Sequence, residues 1–111
     1  MANGGAFVRA KARVVAVVAA IPEGRVTTYG AIGKRLGVGA RLVAFVMATL
    51  TDEESRGLPW FRVVAANGVI SSTKAGTVGR RQRKRLRDEG VAVSAAYKVE
   101  DFATLVWAPT S

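Results

Sequence analysis

The stretch Tyr29–Leu50, YGAIGKRLGVGARLVAFVMATL, decides the reading of the fold. Its apolar residues Ile32, Leu36, Val38, Val43 and Val46 fall at helical spacing on either side of a break at Gly37. Gly33 is small where two helices would have to approach, and Gly37 is free to take the left-handed conformation of a tight turn. Two short helices joined in this way make a helix-turn-helix. A plain helical hairpin has the same spacing, so the rest of the chain must decide between them.

Working outward, Phe7, Val14, Val18 and Ile21, flanked by Val8 and Val15, form the apolar stripe of a helix over residues 7–20. Pro22 and Gly24 end it, and residues 25–28 are extended in taste, a short link or strand. On the other side, the polar, acidic run Thr51–Leu58 is expected to be a loop. Residues 61–64 and 69–71 flank Asn67-Gly68, the signal of a β-hairpin turn. Residues 71–79 are rich in small, polar residues and are expected to be a loop. Residues 80–89 predict a basic helix ended by Gly90. Residues 91–93 and 97–102 are expected as short strands or wing-like segments, with Trp107 packing the tail.

The chain has 111 residues, enough for one domain over 1–111. Its Lys and Arg number 17 against 8 acidic residues, a net charge of +9 that favours polyanions through release of their counterions. A solubilising surface would account for some of that charge. There is no Cys and no His. Thiol nucleophiles, disulfides, imidazole acid–base chemistry and most metal sites are thereby excluded. The apolar run after Arg9, Lys11 and Arg13 is too short for a membrane helix, and Ile21-Pro22-Glu23-Gly24 is unlike a signal cleavage site. The expectation is a cytoplasmic protein, nucleoid-associated if bacterial.

Four segments, in this order, carry a resemblance. They are 21–30 (IPEGRVTTYG), 39–41 (GAR), 59–64 (PWFRVV) and 82–91 (QRKRLRDEGV). Together they resemble the DNA-binding domain of O6-alkylguanine-DNA alkyltransferases, over nearly the whole chain. In those enzymes a cysteine in the third segment accepts the alkyl group; Trp60 stands in its place. The tryptophan is similar to that of the alkyltransferase-like proteins, which bind the lesion and pass it to nucleotide excision repair. The implied fold is mainly α with a small β-hairpin, a winged helix-turn-helix-like domain of the alkyltransferase type. The implied function is non-enzymatic: the protein senses O6-alkylguanine in double-stranded DNA by nucleotide flipping, as a monomer, with no metal, nucleotide or organic cofactor and no membrane partner.

The resemblance also implies roles for residues. A base must leave the stack to be inspected, at a cost of a few kcal/mol. Tyr29 would crowd the phosphate 3′ of the target. Arg41 would enter the duplex and fill the gap, stacking and hydrogen-bonding as a planar guanidinium can. Trp60, Val63, Tyr29 and Lys74 would form the pocket, the indole burying purine and alkyl group, the carbonyls of Trp60 and Val63 reading the guanine edge. Thr27, Thr28, Ala40, Ala44 and Phe45 would face DNA with Arg41, the small side chains allowing close approach in the minor groove. Phe45 either wedges against the sugars or packs inward. Phe61 and Arg62 would support the pocket, Arg62 by pairing with an acidic residue. The six cations between Arg80 and Arg87 occupy almost every face of their helix, so only some can meet one partner.

Three departures from the family pattern stand out. Phe61 replaces a histidine that serves a thiol, the turn before Ala40 is short, and a hinge asparagine before Pro59 is missing. Simple core packing is the plainer account of Trp60, and a phosphate contact of Arg41. The alternative function is a helix-turn-helix transcriptional regulator of undamaged DNA, for which the 59–64 segment has no use. A third is a glycosylase using Asp or Glu, but the acidic residues cluster at 52–54 and 88–89.

Overall fold

Three helices enclose one half of the computed structural model, which describes residues 2–70 and 76–109, the side chains of residues 2–4 excepted. Helix α1 (Ala2–Ala19) starts earlier than its apolar stripe and lies against α2 (Tyr29–Leu36) and α3 (Ala40–Thr49). Val14, Val18, Ile21, Ile32, Val43, Val46, Met47, Leu58 and Val63 meet in its core. Each fully buried aliphatic side chain of this kind contributes roughly 1.5–3 kcal/mol.

The helix-turn-helix forms as expected. Thr28 caps α2, its hydroxyl accepting from the Ala31 N–H at 3.0 Å. Gly37 ends it at φ 73°. A Cβ on Gly33 would lie 2.6 Å from the carbonyl oxygen of Val38, so only glycine lets the turn fold back this closely.

The second half is less regular. Val26, Phe61, Val64, Ile70, Leu86, Val91, Val93 and Val99 form a separate core, closed on one side by α5 (Thr77–Asp88). The helix begins three residues before the expected start at Arg80. Of the two expected strands, 91–93 and 97–102, two isolated bridges remain, Val93 to Val99 and Lys98 to Val69, and Phe102 instead opens a single helical turn, α6 (Phe102–Leu105). Trp107 does anchor the tail: its side chain packs against the first core and its main-chain N–H donates to the Val26 carbonyl at 2.7 Å.

Two expectations need correction. Residues 51–58 are not all loop: Asp52–Arg56 form α4. Its capping box is complete, with Glu54 N–H to Thr51 Oγ1 at 3.1 Å and Thr51 N–H to Glu54 Oε1 at 2.9 Å. Lys11 fixes Glu54 to α1 at 2.9 Å. The Thr51 main-chain hydrogen bond, with help from Lys11, holds the Glu54 carboxyl below its usual range.

The expected β-hairpin does not propagate. Asn67 (φ 63°) and Gly68 (φ 84°) do make a left-handed turn, closed by Ala65 N–H to the Val69 carbonyl at 2.8 Å. Beyond it the arms part: Val69 bridges Lys98, while β2 (Val63–Val64) pairs in parallel with β1 (Thr27–Thr28), Thr27 opposite Val63. The sheet therefore joins the start of the helix-turn-helix to the segment carrying Trp60.

Candidate nucleic-acid interface and base pocket

Helix α3 turns Val43, Val46 and Met47 into the core and leaves Ala40, Arg41, Phe45 and Ala48 outside. Leu42, bulky for a helix that must approach DNA closely, packs inward against the first core, and Ala44 is half-buried. Phe45 does not pack inward: it is 58% exposed, with its ring edge-on to Phe7 at 5.7 Å. The outer face of α3 thus presents one cation and one large aromatic among small side chains.

Around it, the expected residues divide. Thr28 is committed to its cap, and Tyr29, opening α2, is half-buried against the first core. Thr27, expected among DNA-facing residues, is fully buried as part of β1, and its hydroxyl reaches no surface. Lys74 lies outside the described residues.

Trp60 begins a turn of 3-10 helix, Trp60–Arg62, entered from Pro59. The indole is half-buried and packs against both cores, so it sits at the seam of the molecule. It borders a cavity of about 350 Å³ whose other walls are Met47, Ala48, Leu50, Asp52, Ser55, Val78 and Arg81. The size and mainly apolar walls suit a small-molecule fragment or a base. The Arg81 guanidinium lies 5.9 Å from the Trp60 ring centre.

Neither Tyr29 nor Val63 lines that cavity. Val63 is buried in the first core, and its carbonyl accepts from Gln82 Nε2 at 2.9 Å; the Phe61 carbonyl accepts from the same nitrogen at 3.1 Å. The Trp60 carbonyl accepts from the Val63 N–H. A carbonyl oxygen has two lone pairs, so each retains capacity for a second donor. Gln82 is the functional support that the sequence hides inside a basic run: 1% exposed, it pins the Trp60 segment to α5.

Phe61 is buried in the second core beneath two guanidiniums, Arg85 at 4.3 Å and Arg62 at 5.4 Å. Arg62 pairs with an acidic residue, as expected, and the partner is Glu89. Nε donates to both carboxylate oxygens at 3.0 and 3.1 Å, Nη2 donates to Oε2, and Nη1 donates to the Ile21 carbonyl at 2.7 Å. Gly24 N–H donates to the same carboxylate at 3.1 Å. Burial pushes the Glu89 carboxyl up, but the hydrogen bonds from Arg62 and Gly24 and the charges of Arg62 and Arg85 outweigh it and leave it below the usual range. This clamp locks the end of α1, the Trp60 segment and the end of α5 together.

A helix pair with an exposed second helix, and an indole-walled cavity at the end of that helix, is the build of a DNA-binding domain with a base-sized pocket. The chain belongs to the alkyltransferase-like family: the model of the 6-O-methylguanine DNA methyltransferase DNA-binding domain matches residues 9–91. It is 47% identical over 90 residues to the DNA base-flipping protein of Escherichia coli K12, covering 79% of this chain and 67% of that protein. It is 37% identical over 83 residues to alkyltransferase-like protein 1 of Schizosaccharomyces pombe, covering 73% of this chain and 75% of that one. The structure resembles that of S. pombe Atl1 in complex with damaged DNA containing O6-carboxymethylguanine. The TM-score is 0.76 at 32% identity, over 89% of this chain and 94% of that one. A second complex, of S. pombe ATL with DNA, matches with TM-score 0.77 at 30% identity, over 91% and 96%.

Proposed function

We propose that this protein is a non-enzymatic sensor of O6-alkylguanine in double-stranded DNA. The observation that carries the reading is the Trp60 indole walling a base-sized cavity next to the exposed face of α3, in a chain without cysteine. Trp60 stands where a transferase holds its alkyl acceptor, and an indole offers apolar surface without a transferable site. The relatives named for base flipping and for binding damaged DNA support the same reading.

In this reading α3 lies in the minor groove. Arg41 enters the stack and holds the place of the displaced nucleotide, and Phe45 presses against the sugars beside it. Tyr29 acts on the phosphate from the start of α2. The damaged base moves toward Trp60, and the apolar cavity offsets the few kcal/mol of unstacking. The alkyl group stays on the base, so the lesion is marked rather than mended, and nucleotide excision repair completes the work. The protein acts as a monomer where DNA is, in the cytoplasm or on the nucleoid, and takes no cofactor.

The test is an anisotropy titration with one O6-methylguanine in duplexes of differing flanking sequence. Lesion preference that ignores the flanks is the expected result. Preference for a sequence with indifference to the lesion would instead make the protein a transcriptional regulator. Arg41→Ala and Trp60→Ala are each expected to weaken lesion discrimination more than they weaken binding to undamaged duplex. The modified base should be recovered intact after incubation; alkyl-free or excised base would overturn the non-enzymatic reading.

A further inference from the structure

The six cations of α5 do not share one surroundings. Arg80, Arg83, Lys84 and Arg87 line an open concavity on one flank of the helix, with Asp88. Arg81 and Arg85, one turn apart on the other flank, lie over Trp60 and Phe61 at 5.9 and 4.3 Å. There they join Arg56 of α4 around a polar chamber of about 280 Å³, whose remaining walls are Asp52, Ser55 and Trp60. Asp52, Ser55, Trp60 and Arg81 also wall the apolar cavity, so the two spaces adjoin across the indole.

The chamber holds three guanidiniums and one carboxylate. Among the described residues the contact ion pairs are Lys11–Glu54, Arg62–Glu89 and Lys84–Asp88, so none of these three arginines is in direct contact with a carboxylate, although Arg85 acts on Glu89 at longer range. A guanidinium held near an aromatic face keeps N–H groups free to donate in its own plane. A carboxylate held against the apolar walls of the cavity would lose water that those side chains cannot replace. The same carboxylate one or two bonds further out would meet Arg81 and its neighbours and gain charge-assisted hydrogen bonds.

We infer that the Trp60 site discriminates among O6-alkyl groups by charge, favouring those that end in an anionic group over neutral groups of the same size, with Arg81 and Arg85 as the specificity-determining residues. The inference rests on the reading that a flipped alkylguanine occupies the Trp60 cavity. Arg56 adds to the field of the chamber, and Asp52 sets a limit on how far an anion can advance.

The experiment uses the full chain and one duplex sequence carrying guanine, O6-methylguanine, O6-carboxymethylguanine or the neutral, isosteric O6-carbamoylmethylguanine. The carboxymethyl duplex is expected to bind about fivefold more tightly than the carbamoylmethyl one, with the gap narrowing as salt rises, as for a partly exposed ion pair. In Arg81→Gln and in Arg85→Gln the ratio of the two affinities should fall toward one, whereas Arg81→Lys should keep most of it. All four side chains of the chamber that carry charge are exposed, so these variants should fold. Equal binding of the two isosteres by the unaltered protein would overturn the inference while leaving lesion sensing intact. A ratio that survives both glutamine variants would overturn it too, by assigning the preference to overall charge. Indifference to all three adducts would take the underlying reading down with it.

Discussion

The two cores of this small protein are built on different principles. The first is an ordinary three-helix core in which α1, α2 and α3 bury aliphatic residues at helical spacing. The second buries comparable residues, but from one helix, a two-residue strand and irregular chain, joined by main-chain bonds between loops and by a few buried side-chain bonds. Gln82 ties α5 to two carbonyls, and Arg62 ties Glu89, just past α5, to Ile21, just past α1. Trp60 touches both cores. The contrast shows a pocket placed where a rigid helical unit meets one held by particular polar contacts, so that the wall of the cavity is fixed from two directions.

That contrast can be broken in graded steps. Ile32→Ala, at a fully buried site of the helical half, should cost about 2–5 kcal/mol in urea unfolding, the largest effect here. If the halves are one cooperative unit, near- and far-ultraviolet signals will be lost together; separate transitions would show that the seam is weaker than either core. Arg62→Ala should cost about 2–3 kcal/mol, because it strands the Glu89 carboxylate in a site only 12% exposed. Gln82→Leu keeps the volume but leaves two buried carbonyls short of a donor, for a loss of about 1–3 kcal/mol. It should also alter Trp60 accessibility to acrylamide, which Ile32→Ala should change less. Thr51→Ala removes one half of a capping box at the surface and should cost about 1 kcal/mol.

Acid sharpens the same comparison. A carboxyl whose folded pKa lies below its unfolded value lends stability that is present above the unfolded pKa and is lost as pH falls through the folded one. Glu89 is of this kind. The unfolding midpoint should therefore drop as pH falls below the ordinary carboxylate range, and Glu89→Gln should flatten that drop. An equal drop in the variant would assign the acid sensitivity elsewhere, Glu54 being the other carboxyl held low.

The helical half was open to reading because its information is local. A period of 3.6, a proline stop and the spacing of Gly33 and Gly37 are enough to place α1, α2 and α3. Helix α4 is equally local, its Thr51 and Glu54 standing at capping-box spacing, although the polar, acidic run around them is what a loop also has. The Asn67-Gly68 turn is legible and the pairing beyond it is not, since a turn is set by its own residues while strand pairing is decided by what lies across the fold. Here Val63 faces Thr27, and that pairing also buries a threonine expected at the DNA. The Arg62 ion pair could be expected, but its partner could not be named from spacing. Gln82 is indistinguishable in sequence from the exposed polar residues around it, and only burial sets it apart.

Trp60 has one more consequence, optical rather than chemical. Of the two tryptophans, Trp107 packs at the tail against the helical core and Trp60 borders the cavity. Replacing Trp107 with phenylalanine would leave a single tryptophan, excited selectively near the red edge, at the place where a base would arrive. Its emission would then report occupancy directly, with no label on protein or DNA.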